Sequence, residues 1–406
     1  MLGIEPAALD DDACVRTWAG SGAMYLTGPA SGPPCVSPAG IVRPLLGLGD
    51  ALAAATRRLG TEVKVDAVGL AARRAAFAGF GRNGSGSAGG FAQMVRARDG
   101  WVVLNLPRPS DTEALPALVG AATPAGDWGE IERRIAAMTA ADAVQQGSEL
   151  GLAVAAVGAT PAPRRPWSVR REVPARPLRR RAPVVIDLTS LWAGPLAGGL
   201  LAEAGCRVLK VESSSRPDGA RRGPAGFFQL LNHRKEQLSL DLPTPGAIGR
   251  LRELIAGADL VLEASRPRVM QQWGISPEDC VTAGTVWVSI TGHGRSGQHG
   301  NRVAFGDDAA ASGGLVVAGD PPMFVGDAIA DPIAGLAAAS IAAHLLADAR
   351  PALVDVSLAS AAAWVAAHGG AAIERPVVRD GDGWQVRLVE GPVIVRPPTA
   401  PTMDNT

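Results

Sequence analysis

The stretch PVVIDLTSLWAGPLAGGLLAEAGCRVLKVE, residues 183–212, decides the fold. Val184-Val185-Ile186-Asp187-Leu188 is a short apolar run rich in β-branched residues, as suits a strand buried on both faces. Gly194-Pro195 opens a helix, because proline is well placed in a first turn. Leu196, Leu200 and Leu201 fall on one helical face, and Gly205 stands where the helix end needs a left-handed residue. Arg207–Glu212 is the second strand. Strand, helix and strand in about thirty residues make one βαβ unit of a parallel sheet. The free N–H groups of that helix point toward the carboxyl edge of the sheet, where ligands of open α/β sheets bind.

The same rhythm continues C-terminally. Strands are expected at 237–242, 259–263, 286–290 and 353–358, and helices at 246–256 and 331–346. Alternating strands and helices predict an α/β fold, a doubly wound parallel (Rossmann-like) sheet. N-terminal to it, 44–59 reads as a helix and Glu62–Asp66 as a short strand. The loop from Arg82 to Gly90 is glycine- and serine-rich, a surface loop or a mobile lid. Asp99-Gly100 is a hairpin signal before the strand 101–106. An amphipathic helix over 130–145 and a strand within 150–157 complete a smaller α+β domain. Residues 161–182 are dominated by proline and arginine and read as an extended linker. The expected organisation is therefore 1–80, 81–160 (small domain), 161–182 (linker), 183–370 (large domain) and 371–406 (tail, irregular strands and a disordered end).

Composition bounds the function. The chain has 406 residues, with 39 lysines and arginines against 39 aspartates and glutamates. That balance gives no argument for nucleic acid as a partner. Its four cysteines have neither metal-like nor disulfide-like spacing, which fits a reducing compartment and no metal site. No apolar run reaches the length of a membrane span, and the acidic MLGIEPAALDDD is unlike a signal peptide. A cytoplasmic protein without membrane association is the expectation.

One internal similarity stands out. PPCVSPAGIVRPLLGLGD from Pro33 aligns without a gap with PPMFVGDAIADPIAGLAA from Pro321. VKVDAVGLAAR and LVDVSLASAAA follow after a one-residue shift. Residues 1–80 thus read as a degenerate repeat of the segment near 312–366, with Arg43 opposite Asp331.

With these motifs in place, the chain resembles the family III CoA-transferases, the group of formyl-CoA transferase, carnitine CoA-transferase and α-methylacyl-CoA racemase. The resemblance rests on Ile186-Asp187-Leu188 with Ala193-Gly194-Pro195, Gly205 with Val208–Glu212, and Asp218 with Arg221. It continues through Asn232-His233-Arg234-Lys235, Leu240-Asp241-Leu242, Ala258–Glu263, Thr291-Gly292-His293-Gly294, Ser312-Gly313-Gly314-Leu315, Asp331-Pro332 with Gly335, and Val354–Leu358. The small domain matches too, but precedes the large one here and follows it in the family.

The resemblance implies a CoA-transferase working on acyl-CoA and a carboxylic acid, with CoA as substrate and product, no permanently bound cofactor, and an interlocked homodimer. It implies Asp331 as nucleophile, and CoA contacts at Leu191, Trp192, Ala193, Ser213 and Lys235. Ala264 and Ser265 stand where the family has an Asn-Phe pair, so the adenosine contacts are changed there. Arg221, Arg266 and Arg268 are then candidate phosphate partners.

The residues support the chemistry independently. A carboxylate can accept an acyl group from a thioester and pass CoA on, provided it is ionised and shielded from water. A helix start favours its anionic form. The plain alternative for Asp331 is a helix N-cap, and Asp327 is the rival carboxylate. Asp307 and Asp308 precede the Ser312-Gly313-Gly314 turn, which is either a plain loop or a place where backbone approaches a thioester. His293 ends a strand, where a structural hydrogen bond is the plainer role. Two alternatives remain beside the transferase. A racemase would need a histidine near residues 302–306, where this chain has Arg302. A non-catalytic relative or subunit would fit Arg43 and Ala264-Ser265.

Overall fold

The structure, a computed structural model, describes residues 3–119, 128–175 and 182–401. The chain begins with a helix at Asp11–Gly20, capped by the Asp10 carboxylate, which accepts from the Ala13 N–H at 2.7 Å. An apolar-faced helix, Val42–Leu59, follows, ending at Gly60 with φ 116°. The expected strand at Glu62–Asp66 does not form. Val63 instead donates its N–H to the Thr56 hydroxyl, at 2.9 Å, so the segment has no strand to pair with. A short helix, Arg73–Ala78, closes this region.

Strands β1 (Ala92–Ala97), β2 (Gly100–Asn105) and β3 (Ala153–Ala156) form an antiparallel sheet in that order. Asp99-Gly100 turns the hairpin, as the sequence indicates. Helices Pro109–Val119, Trp128–Ala137 and Ala140–Glu149 belong to the same region. The expected helix over 130–145 is two helices. Thr139 breaks it by capping the second, accepting from the Asp142 N–H at 3.0 Å.

The stretch read as a linker contains a strand, β4 (Ser168–Glu172), antiparallel to the sheet edge; residues 176–181 lie outside the described residues. Proline and arginine hid it, because an edge strand has only one neighbour to satisfy. The large sheet then takes β5 (Val184–Leu188), β6 (Arg207–Ser213), β7 (Glu236–Leu240), β8 (Leu260–Glu263) and β9 (Val286–Thr291). A short ribbon, β10 (Val316–Val317) and β11 (Met323–Phe324), precedes β12 (Ala352–Ser357). The sheet order is β4-β12-β9-β8-β5-β6-β7, parallel throughout except at β4. From β5 the chain winds first toward β7 and then, through β8, toward β12. The winding reverses between β5 and β8, and at the carboxyl ends of those strands a crevice is expected.

Alternation on β5 divides the core. Val185 packs with the Ala193–Glu203, Ala330–Ala347 and Leu358–His368 helices on one face. Val184 and Ile186 pack with Leu251, Ile255, Met270 and Val281 on the other. Both faces are therefore covered by helices, which explains the unbroken apolar run. The 18-residue Ala330–Ala347 helix is long and apolar enough to cross a membrane, contrary to the sequence expectation, but 83% of it is buried inside the protein. It is apolar all round because protein surrounds it.

The Val42–Leu59 and Ala330–Ala347 helices are alike. Both have 18 residues, and both start after an isoleucine, Ile41 and Ile329, in right-handed backbone without a side-chain cap. They pack together, with Ser340 Oγ donating to the Leu48 carbonyl at 3.2 Å. The likeness fades beyond them, where β12 corresponds to the unpaired 62–66. The C-terminal segment is more regular than expected: β13 (Val377–Asp380), β14 (Gly383–Leu388) and β15 (Gly391–Ile394) form an antiparallel sheet. It is tied to the N-terminus by Arg375–Asp12 at 2.7 Å and Arg16–Glu390 at 2.8 Å. The disordered end expected from the sequence falls on 402–406, outside the described residues.

Candidate active site

Two helix N-termini meet beside β5. The Ala193–Glu203 helix follows β5, and Gly335 in the first turns of the Ala330–Ala347 helix lets the two touch. A Cβ on Gly335 would stand 2.5 Å from the Ala193 carbonyl. Asp331, in the first turn of its helix, does not cap it; the N-cap is Ile329, with no side-chain bond. Its carboxylate accepts instead from the Ala193 backbone N–H, across the helix contact. The plain N-cap alternative is thereby removed. Gly306 lies against the same carboxylate: a Cβ there would fall 2.4 Å from Asp331 Oδ2 and 2.3 Å from the Ala328 carbonyl.

Asp331 is partly exposed as a residue, yet its carboxyl group is poorly hydrated. Loss of hydration pushes its pKa up to about 7, opposed by Arg74 and the Ala193 N–H and reinforced by Asp307 and Asp327. Asp307 accepts from the Ala328 N–H at 2.9 Å and is pushed up to about 6, by burial first and by Asp327. Asp308 accepts from the Phe305 N–H at 2.9 Å and the Asn105 amide at 2.8 Å; burial pushes it to about 7. Ala328, between these groups, holds φ at 44°, a strained value for a residue with a Cβ.

Asp327, the rival carboxylate, is fully buried and held by Arg74 in a two-armed ion pair, Nε–Oδ2 2.9 Å and Nη2–Oδ1 2.5 Å. That grip leaves it no free edge for attack. The segment around it is stitched to the N-terminal region, with Asp327 N–H on the Ala71 carbonyl at 3.1 Å and Gly326 N–H on Thr27 Oγ1 at 3.0 Å.

The other sequence candidates divide. Leu191 is exposed and strained, at φ 71°, with its N–H on Asp218 Oδ1 at 2.9 Å. Asp218 is itself buried against Lys210 at 2.9 Å. Trp192 is buried, edge-on to Phe227 at 5.1 Å. Ser213 ends β6, half-buried, its hydroxyl on the Leu242 carbonyl at 3.0 Å. Ala264, Ser265 and Arg266 follow β8 across the reversal point.

Lys235 is different. Its ammonium is fully buried and donates to Asp187 (2.8 Å), the Pro195 carbonyl (2.7 Å) and Asn232 (2.9 Å). All three donors are taken inside the protein, so in this arrangement the ammonium braces β5, the Ala193–Glu203 helix and Asn232. Arg221 likewise is turned to the protein, gripping Glu212 at 2.7 and 3.0 Å and Gln237 at 2.7 Å over the Phe228 ring at 4.2 Å.

The Ser312-Gly313-Gly314 turn has a packing explanation. A Cβ on Gly313 would lie 2.6 Å from Ala363 N, and Gly314 takes φ 83° to end the Gly306–Ser312 helix. His293 sits in the turn after β9, where Gly294 N–H bonds Thr291 and Thr291 bonds Asp355 at 2.8 Å.

Arg266 is crowded by other cations. Burial, then Arg268, Arg108 and Arg216, hold its pKa below the usual value. Arg108 is paired with Asp111 at 2.7 Å. Among the described residues no ion pair neutralises Arg216, Arg266 or Arg268. Such a cluster favours an anion. Among the described residues no group of three or more His, Cys, Asp or Glu side chains is arranged to hold a metal. Two cavities lie elsewhere: one of 410 Å³ bordered by Met94, Trp101 and Glu132, another of 640 Å³ bordered by Ile4, Trp167 and Trp364. Asp331 lines neither.

Sequence reading missed Arg74 and Asn105. Both come from the region before the linker, and only the fold brings them to the carboxylates. The one hint was Arg73-Arg74 inside an otherwise apolar stretch.

Residues 183–379 match the CoA-transferase family III model. That segment, just under half of the chain, belongs to CoA-transferase family III. It is 31% identical over 168 residues to a succinyl-CoA–D-citramalate CoA-transferase of Chloroflexus aurantiacus, 38% of this chain and 42% of that one. It is 35% identical over 153 residues to a probable fatty acyl-CoA transferase of Mycobacterium tuberculosis, 35% of this chain and 38% of that one. A crystal structure of a hypothetical protein from Mycobacterium tuberculosis aligns at 30% identity with a TM-score of 0.44, covering 54% of this chain and 68% of that one. The chain spans about two fifths of the length of these curated relatives.

Proposed function

We propose that this protein transfers CoA between an acyl-CoA thioester and a carboxylic acid, with Asp331 as the nucleophile. The observation that carries the reading is the carboxylate itself. It leaves its own helix uncapped, takes the Ala193 N–H at the start of the helix that follows β5, and is poorly hydrated on a residue that is itself only half-buried.

Ionised Asp331 attacks the thioester carbonyl. The C–S bond breaks, its electron pair leaves on the CoA thiolate, and an acyl–aspartyl anhydride forms. The thiolate then attacks the Asp331 carbonyl carbon, expelling the donor acid as carboxylate and leaving an aspartyl-CoA thioester. The acceptor carboxylate attacks that thioester in turn, and the returning thiolate takes the acceptor acyl group and frees Asp331. Each step replaces a difficult direct exchange with two easier ones. Poor hydration around the carboxylate slows hydrolysis of the anhydride.

Leu191, Trp192, Ala193, Ser213, Ala264, Ser265 and Arg266 are the proposed CoA contacts, with the phosphates on Arg216, Arg266 and Arg268. Arg266→Ala is expected to raise KM for the acyl-CoA roughly tenfold or more, with little change in kcat. An equal KM in a steady-state assay would remove that assignment. We read residues 1–80 as a degenerate copy of the nucleophile segment and the small domain as following it. The homodimer also stays a proposal, resting on the family resemblance.

The racemase alternative is disfavoured by Arg302, whose guanidinium is on the Val154 carbonyl at 3.1 Å where a histidine would be needed. The non-catalytic alternative fits the first copy, where Arg43 is tied to Asp11 at 2.6 Å and the Leu9 carbonyl at 2.9 Å; the carboxylate at Asp331, with no side-chain cap to make in its own helix, favours the transferase. Hydroxylamine supplied with an acyl-CoA is expected to inactivate the enzyme by trapping Asp331 as a hydroxamate. Inactivation that does not depend on acyl-CoA would contradict the covalent route.

A further inference from the structure

The cation beside Asp331 comes from outside the segment that matches the family. Arg74 is on the short Arg73–Ala78 helix of the degenerate N-terminal copy. Its guanidinium is fixed by the two-armed Asp327 pair and lies 5.6 Å from the Trp192 ring and 5.8 Å from the Phe80 ring. Asp307 and Asp331 are its other charged neighbours. Asp331 in turn faces Arg74, Asp307, Asp327 and the Ala193 N–H; Asp307 has Asp308 beside it.

We propose that Arg74 is a positioning residue for the transfer reaction, a fixed cation that keeps Asp331 ionised in the company of Asp307 and Asp327. This rests on the reading of Asp331 as nucleophile. Three carboxylates gathered in a poorly hydrated site repel one another, and without a cation they take up protons. A planar guanidinium suits the task better than an ammonium. It can spend one edge on Asp327, stack on two rings, and still present charge to Asp331. The N-terminal copy, which lost its own carboxylate at Arg43, thus supplies a charge to the working one. Asp327 is the strut that aims it.

The direction of the effect is fixed. Arg74 lowers the pKa of Asp331, so its loss raises the pH at which Asp331 ionises. In Arg74→Met the rising limb of the pH–rate profile is expected to move up by about 1 to 3 pH units. Activity at neutral pH falls roughly tenfold or more and returns as the pH is raised. Arg74→Lys keeps the charge without the fork and gives a smaller displacement. Because Met alone strands a buried carboxylate, the double variant Arg74→Met/Asp327→Asn is measured beside it, with melting temperatures for all forms. The expected result for the double variant is a native-like melt and a limb still displaced upward. A limb unmoved in the folded double variant, or a loss that alkaline pH does not recover, overturns the role of Arg74. Wild type that fails to form the hydroxamate at Asp331 would instead overturn the nucleophile assignment.

Discussion

Asparagine in place of Asp331 is expected to lower the transfer rate by roughly a thousandfold or more while leaving the fold intact. The amide keeps the shape of the side chain against Gly306 but cannot form the anhydride. In wild type the rate should fall as pH drops through about 7, because the protonated carboxyl is not a nucleophile. The same variant should be more stable than wild type, with a definite pH dependence. The folded carboxyl is pushed up to about 7 from an ordinary 3.8. Below the lower value both states hold the proton and nothing is gained. Between the two, the unfolded chain alone has ionised, so wild type progressively loses stability, and the full cost stands above the upper value. Asparagine removes that cost, so its melting advantage should grow as pH rises from about 4, be complete above about 7, and vanish in stronger acid. An active site that is strained for chemistry and costs stability is a general pattern.

Lys235→Met is expected to have the largest effect on stability, about 3–5 kcal/mol in chemical denaturation. Burial by itself would raise the Asp187 pKa, but Lys235 and Lys210 hold it below the usual value. Removing the ammonium strands that carboxylate in the core, and also leaves the Pro195 carbonyl and Asn232 without their donor. Gly198 shows how closely the pair is packed: a Cβ there would meet Asp187 Oδ2 at 2.7 Å and Lys235 Nζ at 2.9 Å. Lys235→Met/Asp187→Leu should recover much of the loss, because the stranded charge goes with its partner. A Lys235→Met protein of normal stability whose KM for acyl-CoA rises would return the residue to the ligand.

The contrast between Asp331 and Lys235 shows what the sequence could tell. The β5–helix–β6 unit was legible because an apolar run, a Gly-Pro start and a left-handed Gly205 each act locally. Asp331 was singled out by the family pattern, since Asp-Pro at a helix start reads by itself as an N-cap; the structure gives that helix no side-chain cap. Lys235 carried the same family pattern, yet pattern does not say which way a side chain points, and here it points inward. Strand β4 was hidden by prolines and arginines that an edge tolerates. The strand at Glu62–Asp66 had the right alternation and no partner. Thr139 looked like part of a helix because its cap bond is invisible to periodicity. Arg74 and Asn105 were out of reach for a simpler reason: their work is done on carboxylates more than two hundred residues away in sequence.

The central claim is that oxygen of Asp331 is exchanged during transfer. In the proposed route the donor acid leaves with an oxygen from Asp331, and the carboxylate is rebuilt with one from the acceptor. Turnover with a heavy-oxygen-labelled acceptor acid, followed by mass analysis of the peptide carrying Asp331, reads this directly. The expected result is a mass gain of one or two heavy oxygens on that side chain, absent without acyl-CoA. Active turnover with an unlabelled Asp331 would contradict the account.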